Sequence, residues 1–292
     1  MEGNTFIYYN YLPSLAPHVI DLPMSFYSSH GIKPKHNYPD FKVLNVKQND
    51  CIFVKTDLLH QFFERIYNSI PCQFYLITGS SDYPIGFKYL GVLNHGKIIK
   101  WFGQNMTLSH KRAVKVPIGF DENESTANGT ADGEGGDQML LEKLHSKKKC
   151  FEDKANGLLI TYASDTHQSR RNINEIFANA SLARFIPKMG FEDYMSEINE
   201  YRYVLCPRGN GVDTHRFWET LLMGSVPVVE RSGLSDLYEK FPCIIVKSFS
   251  DLREIESMIA NFSYNVEKAN NIQKYLRLDT FNAFFANETN GA

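Results

Sequence analysis

The stretch "YRYVLCPRGNGVDTHRFWETLLMGSVPVVE", from Tyr201 to Glu230, constrains the fold more than any other part of the chain. An apolar run, "YVLC", stops at Pro-Arg-Gly-Asn-Gly. A helical pattern follows from Asp213 and stops at Gly224, and "VPVVE" then opens a second buried run. Two buried strands joined by one helix pair in parallel through a right-handed crossover. The alternation continues on both sides. "GLLITYAS" and "PCIIVKS" read as strands; "MLLEKLHSKKK", "DTHQSRRNINEIFANA", "FEDYMSEINE", "DLREIESMIANF" and "SYNVEKANNIQKYLRL" read as helices. Such a pattern predicts a parallel sheet covered on both faces.

The first half repeats the theme more irregularly. Five prolines in the first forty residues predict loop with short strands, "FIYYNYL" being the first. "IFVK", the helix "LLHQFFERIYNSI" and "FYLIT" form a further strand-helix-strand unit. "GKIIKWFGQN" and "AVKVPIGF" add short strands. Between the halves lies "DENESTANGTADGEGGD", acidic, without a basic or large apolar residue, which predicts a flexible linker over 121–137. At 292 residues the chain suits two domains. The expected division is an N-terminal Rossmann-like domain over 1–120, the linker over 121–137, a C-terminal Rossmann-like domain over 138–265, and a helix over 266–292 packing back on the N-terminal domain.

Composition excludes several classes. Net charge is −2 with no lysine-arginine stripe, which argues against a nucleic-acid partner. No apolar run reaches membrane length and no secretory leader opens the chain, so a soluble protein is expected. The five cysteines are odd in number and lack C-x-x-C spacing, which supports neither a disulfide framework nor a metal site and fits a reducing cytoplasm.

The chemistry-bearing positions cluster at predicted strand ends. In open α/β sheets ligands bind at the carboxyl ends of strands. The helix beginning near Asp213 would present unpaired N–H groups and a partial positive charge to an anion, and glycines before it would let that anion approach. Arg208, Gly209, Asn210, Gly211, Asp213, Thr214 and Arg216 are therefore candidates for holding a nucleotide diphosphate. Glu219, three residues after Arg216, is placed to accept ribose hydroxyls; the alternative is a surface ion pair with Arg216. Arg170, after "LLITYA", is a further diphosphate candidate, on a helix whose N-cap is expected at Ser164 or Asp165. His167 and His215 could also contact it. The segment matches neither G-x-G-x-x-G nor the phosphate loop of kinases.

"YVLCPRGNGVDTHRFWETLLMGSVPVV" resembles the C-terminal signature of exostosin-like glycosyltransferases, and "KIIKWFGQN…VKVPIGF" is similar to a Trp-Phe-x-x-Asn…Pro-Ile-Gly segment of related sequences. Together they cover about half the chain, which resembles the compact, soluble forms encoded by large algal viruses. The resemblance implies an α/β GT-B fold, two Rossmann-like domains facing across a cleft. It also implies a UDP-sugar donor in the C-terminal domain, an oligosaccharide or glycoprotein acceptor, and transfer with inversion, xylose being one candidate sugar. Such a transfer needs leaving-group stabilisation and a base. Asp82, in "GSSDYP" after a strand, is the expected base and Asp57 the alternative, unless it only caps the next helix. Ser80, Ser81 and Trp101 are expected at the acceptor. No Asp-x-Asp follows a strand, so no cofactor is expected and metal-independent chemistry is favoured, with a divalent ion left open. The competing readings are a non-catalytic nucleotide or sugar binder and a phosphorylase-like or epimerase-like enzyme.

Overall fold

The computed structural model of the chain describes residues 6–7, 11–22, 41–121, 138–162 and 166–290. The linker expected over 121–137 lies outside them beyond Asp121, as do Ser164 and Asp165. The chain divides into two compact units. The N-terminal unit is Tyr9–Val116 with Phe285–Ala292, and the C-terminal unit is Met1–Tyr8 with Pro117–Phe284.

In the N-terminal unit the order is β1 (His18–Ile20), β2 (Cys51–Lys55), α1 (Leu59–Arg65), β3 (Phe74–Gly79), α2 (Leu90–His95), β4 (Ile98–Gly103) and β5 (Ala113–Lys115). The five strands lie side by side in chain order, all parallel. Because side chains alternate across a strand, β2 to β4 bury both faces. Ile52, Val54, Leu76 and Trp101 pack with Leu59 and Phe62 of α1 and Leu93 of α2. On β4, Phe102, the neighbour of Trp101, meets Phe285 from the C-terminal segment, ring centroids 4.7 Å apart. That segment is further tied by Tyr75 Oη donating to the Thr289 carbonyl and by a Lys100–Glu288 ion pair.

The C-terminal unit contains α3 (Gln138–Ser146), β6 (Ala155–Ile160), α4 (Ile173–Phe177), β7 (Ala183–Phe185), α5 (Phe191–Glu200), β8 (Tyr201–Leu205), α6 (His215–Leu222), β9 (Val226–Glu230), α7 (Ser235–Tyr238), β10 (Ile244–Val246), α8 (Leu252–Ala260) and α9 (Val266–Leu276). Then α10 (Leu278–Asn290) runs to the end. The strands form one parallel sheet in the order β10-β9-β8-β6-β7. Leu158, Ile160, Leu205, Val226 and Val228 centre its core with Ile173 and Phe177 of α4 and Ile255 of α8. The tight passage from α5 into β8 is held by Ser225 Oγ, which donates to the carbonyl of Ile198 or Tyr201 (2.9 and 2.8 Å), and by buried Lys154, whose Nζ donates to the Asn199 carbonyl. Orphan carbonyls at a helix end are thereby satisfied.

Several elements differ from the sequence expectation. Phe6–Ile7, read as opening a strand of the first domain, pins the C-terminal unit. Ile7 N donates to Leu276 O, Phe120 N donates to Ile7 O, and the Arg277 guanidinium lies 3.8 Å from the Phe6 ring centroid. The "PIGF" end of "AVKVPIGF" also belongs to that unit, and only Ala113–Lys115 is strand. The long helix expected around Arg170 is a 3-10 turn, Gln168–Arg170, followed by the short α4. The expected single C-terminal helix is two, broken at Arg277, which pairs with Glu142. β1, β7 and α2 carry no pattern strong enough to be read.

Because Phe285 is buried against Phe102, Phe285→Ala is expected to destabilise the N-terminal unit by about 3 kcal/mol. Urea unfolding of the two proteins checks this, and equal midpoints would show that the terminal segment is not part of that core.

Candidate functional site

In the C-terminal sheet, strand order reverses between β6 and β8. Renumbered within the unit it runs 2-1-3-4-5, the doubly wound order whose ligand crevice opens at the carboxyl ends of strands one and three. The segments leaving β6 and β8 therefore define the candidate site, and each is an arginine-bearing turn.

After β6 the chain reaches the 3-10 turn ending at Arg170, started by His167, whose Nδ1 accepts from Ser169 N at 3.2 Å. Arg170 is only 4% exposed. Its Nε donates to the Arg208 carbonyl at 2.7 Å and its Nη2 to the Pro207 carbonyl at 3.0 Å, across the gap to β8. Gly209 makes room for this: a Cβ there would stand 3.3 Å from Arg170 Nη2. Burial, and next the charge of Arg216, lower the Arg170 pKa to about 10, which leaves it charged at neutral pH. Arg208 is half-buried and folds over its own turn, donating to the Asn210 carbonyl at 3.1 Å. Asn210 is exposed and Gly211 buried.

Arg216 and Glu219 lie on α6, and both are buried, at 3% and 1% exposure. The surface ion pair is thus corrected, and so is the ribose contact expected of Glu219. Its Oε2 accepts from Tyr194 Oη at 2.9 Å, and the Arg216 guanidinium lies 5.9 Å from the Tyr194 ring centroid. Burial raises the Glu219 pKa to about 7, against the opposing pull of Arg216 and the Tyr194 hydrogen bond. Tyr194 comes from α5, and nothing in the sequence marked it. Cys206, at the end of β8, is no nucleophile, because burial pushes its thiol up to about 12.

Asp213 requires a second correction. It does not face a ligand but is 3% exposed and holds the turn together. Its carboxylate accepts from Ile118 N (2.8 Å), Thr214 N (2.9 Å), Trp218 Nε1 (3.0 Å) and Tyr238 Oη (2.9 Å). Burial still raises its pKa to about 6. The Ile118 contact explains the Pro-Ile-Gly motif. That segment docks against the start of α6, and one step on, His215 Nδ1 donates to the Gly119 carbonyl at 2.8 Å. Gly119 has φ +73°, and a Cβ there would come within 2.5 Å of the Ile7 carbonyl oxygen, so only glycine fits. Thr214 is the N-cap of α6 in extended conformation, its side chain making no cap bond.

The acceptor and base candidates lie in the N-terminal unit, at the carboxyl ends of β2 to β4. Ser80 adopts φ +54° and Asn105 φ +51°, conformations uncommon outside glycine. Ser80 N donates to Gln104 Oε1 at 3.0 Å, and Asn105 Nδ2 donates to the Ser81 carbonyl at 3.1 Å. The Trp-Phe-Gly-Gln-Asn motif thus serves to hold the Ser80–Asp82 turn. Asp82 is exposed at its tip; Asp57 is exposed after β2, 3.7 Å from Lys55 Nζ, and the N-cap of α1 is Leu58 instead. Trp101 is corrected outright: it is fully buried, donates from Nε1 to Thr78 Oγ1 at 2.8 Å, and offers no face to a sugar.

Among the described residues no cluster of three or more His, Cys, Asp or Glu is placed to hold a metal ion, and no helix is long and apolar enough to cross a membrane. No protein-family model matches the chain, and no curated protein matches it in sequence. Solved structures resemble it over much of its length. AviGT4, a glycosyltransferase involved in avilamycin A biosynthesis, is 9% identical with a TM-score of 0.40, covering 80% of this chain and 87% of its own. OtsA in its apo form is 11% identical with a TM-score of 0.45, covering 84% and 73%. A structure described as trehalose-6-phosphate from E. coli bound with UDP-2-fluoro glucose is 10% identical with a TM-score of 0.44, covering 84% and 74%. Likeness at this level does not identify chemistry.

Glu219 binds its proton more tightly in the folded chain than in the unfolded one, so ionising it costs stability. That cost is absent below its ordinary pKa of 4.5 and complete above about 7. Relative to the wild type, Glu219→Gln is expected to gain on the order of 3 kcal/mol of stability as pH rises through that window. Urea unfolding of both proteins across the window reads the difference, and a difference that stays constant would place Glu219 in water.

Proposed function

We propose that the chain is a glycosyltransferase of GT-B architecture that moves a sugar from a UDP-sugar to a hydroxyl of an oligosaccharide or glycoprotein, with inversion. The observation that carries this reading is the pair of buried guanidinium groups, Arg170 and Arg216, at the reversal point of the C-terminal sheet. Burying two like charges close together is costly, and a diphosphate at the carboxyl ends of β6 and β8 would repay that cost. Arg208 and the first-turn amides of α6 complete the cradle, with Thr214 at its N-cap, while Gly209, Asn210 and Gly211 let the phosphates approach. Glu219 belongs to this site as the carboxylate that orients Arg216, and Asp213 as the anchor of the turn.

Fixed positive charge and oriented amides stabilise a departing diphosphate without a metal, so metal-independent transfer is part of the proposal. Asp82 is the proposed base, with Asp57 as the alternative, and Ser80 and Ser81 shape the acceptor side. The exostosin-like family, in its compact form, is the assignment favoured by the motif from Tyr203 to Val229, with xylose as the favoured sugar. A cytoplasmic setting accords with five free cysteines.

Calorimetric titration with UDP tests the donor half. Arg208→Ala is expected to weaken UDP at least roughly tenfold, as loss of a charge-assisted hydrogen bond does; unchanged affinity would remove Arg208 from the site. Radiolabelled transfer from UDP-xylose tests the catalytic half. Asp82→Asn is expected to lower turnover about 100-fold or more with UDP affinity retained. Full activity in that variant would pass the role of base to Asp57, and UDP binding without any transfer or donor hydrolysis would favour a non-catalytic binder.

A further inference from the structure

Beside the Ser80–Asp82 turn the N-terminal unit has a cavity of about 520 Å³, lined among others by Thr56, Asp57, His60, Tyr83, Phe87 and Tyr89. Its size falls within the range of small-molecule sites, roughly 300–1,000 Å³. It opens at the carboxyl ends of β2 and β3, where ligands of parallel sheets bind. Tyr83 is 63% exposed and Phe87 77% exposed. Large exposed aromatics at the mouth of a cavity are more informative than a single surface leucine.

These rings are not exposed through slack in the chain. Ile85, between them, is fully buried and clamped by three backbone hydrogen bonds to Asn105, Thr107 and Leu108. Tyr83 N is fixed by Ser81 Oγ at 3.2 Å. The floor is equally firm. The Tyr89 ring packs on Phe63 at 5.5 Å and on Trp101 at 5.7 Å. Trp101, expected to meet a sugar itself, stands behind the tyrosine that does line the cavity.

We infer that this cavity binds a saccharide, one ring lying on the faces of Tyr83 and Phe87 with its hydroxyls bonded to Asp57. The chemistry selects that class. The C–H face of a sugar ring is apolar and weakly positive, which suits the negative face of an aromatic ring. The exposed Asp57 carboxylate accepts from sugar hydroxyls, and Lys88, which also lines the cavity, donates to them. As the seat of the glycan acceptor, the cavity rests on the glycosyltransferase reading; as a saccharide site it stands without it.

The test uses the full chain, without nucleotide, and xylobiose, cellobiose and methyl galactoside as probes. Saturation-transfer NMR is expected to show contact at the ring C–H protons of at least one probe. Phe87→Ala and Tyr83→Ala should each weaken it about tenfold, the loss of one ring contact. Thermal unfolding of both variants confirms that these exposed positions leave the fold intact. UDP affinity measured on the same samples separates the two readings. UDP binding without saccharide transfer, or transfer indifferent to both substitutions, overturns the inference and leaves the donor site standing. Saccharide binding without UDP binding upholds the inference and overturns the donor site.

Discussion

A guanidinium that starts beyond one strand and is held by the carbonyls beyond the next is the constraint on which the rest of the C-terminal unit is built. Arg170 spans the point of strand reversal and donates to Pro207 and Arg208. The two bonds fix the Pro-Arg-Gly turn. They also bring a permanent positive charge close to that of Arg216, an arrangement that a bound anion would stabilise. A side chain at Gly209 would crowd that guanidinium, its Cβ standing 3.3 Å from Arg170 Nη2.

The start of α6 is fixed from the other side. Buried Asp213 gathers donors from Ile118, Thr214, Trp218 and Tyr238, so separate segments converge on one carboxylate. His215 repeats the grip on Gly119. A helix N-terminus offers an anion a useful field only if its first turn does not reorganise, and this network supplies that rigidity. The same logic holds in the N-terminal unit, where Gln104 and Asn105 brace the turn that carries Asp82.

The parallel sheet of the second half was readable because its strands are apolar runs separated by amphipathic helices. That Arg170, Arg208 and Gly209 come together was readable because each follows the carboxyl end of a strand. The roles of Asp213, Glu219 and Trp101 were not. A carboxylate on the first turns of a helix has the same spacing whether it faces a ribose or a buried tyrosine, and only the packing of α5 against α6 decides. The place of Phe6 in the C-terminal unit was equally hidden. Phe6 is an ordinary apolar residue, and its partner Arg277 lies far away in sequence. Short elements such as β1 and β7 carry too few residues to show a period.

The position of a bound nucleoside diphosphate decides whether the buried arginines serve a ligand. A crystal structure of the chain grown with UDP measures this directly. It should show the diphosphate at the carboxyl ends of β6 and β8, within hydrogen-bonding distance of the α6 first-turn amides and the Arg208 guanidinium. UDP bound elsewhere, with that corner filled by packed side chains, would contradict it.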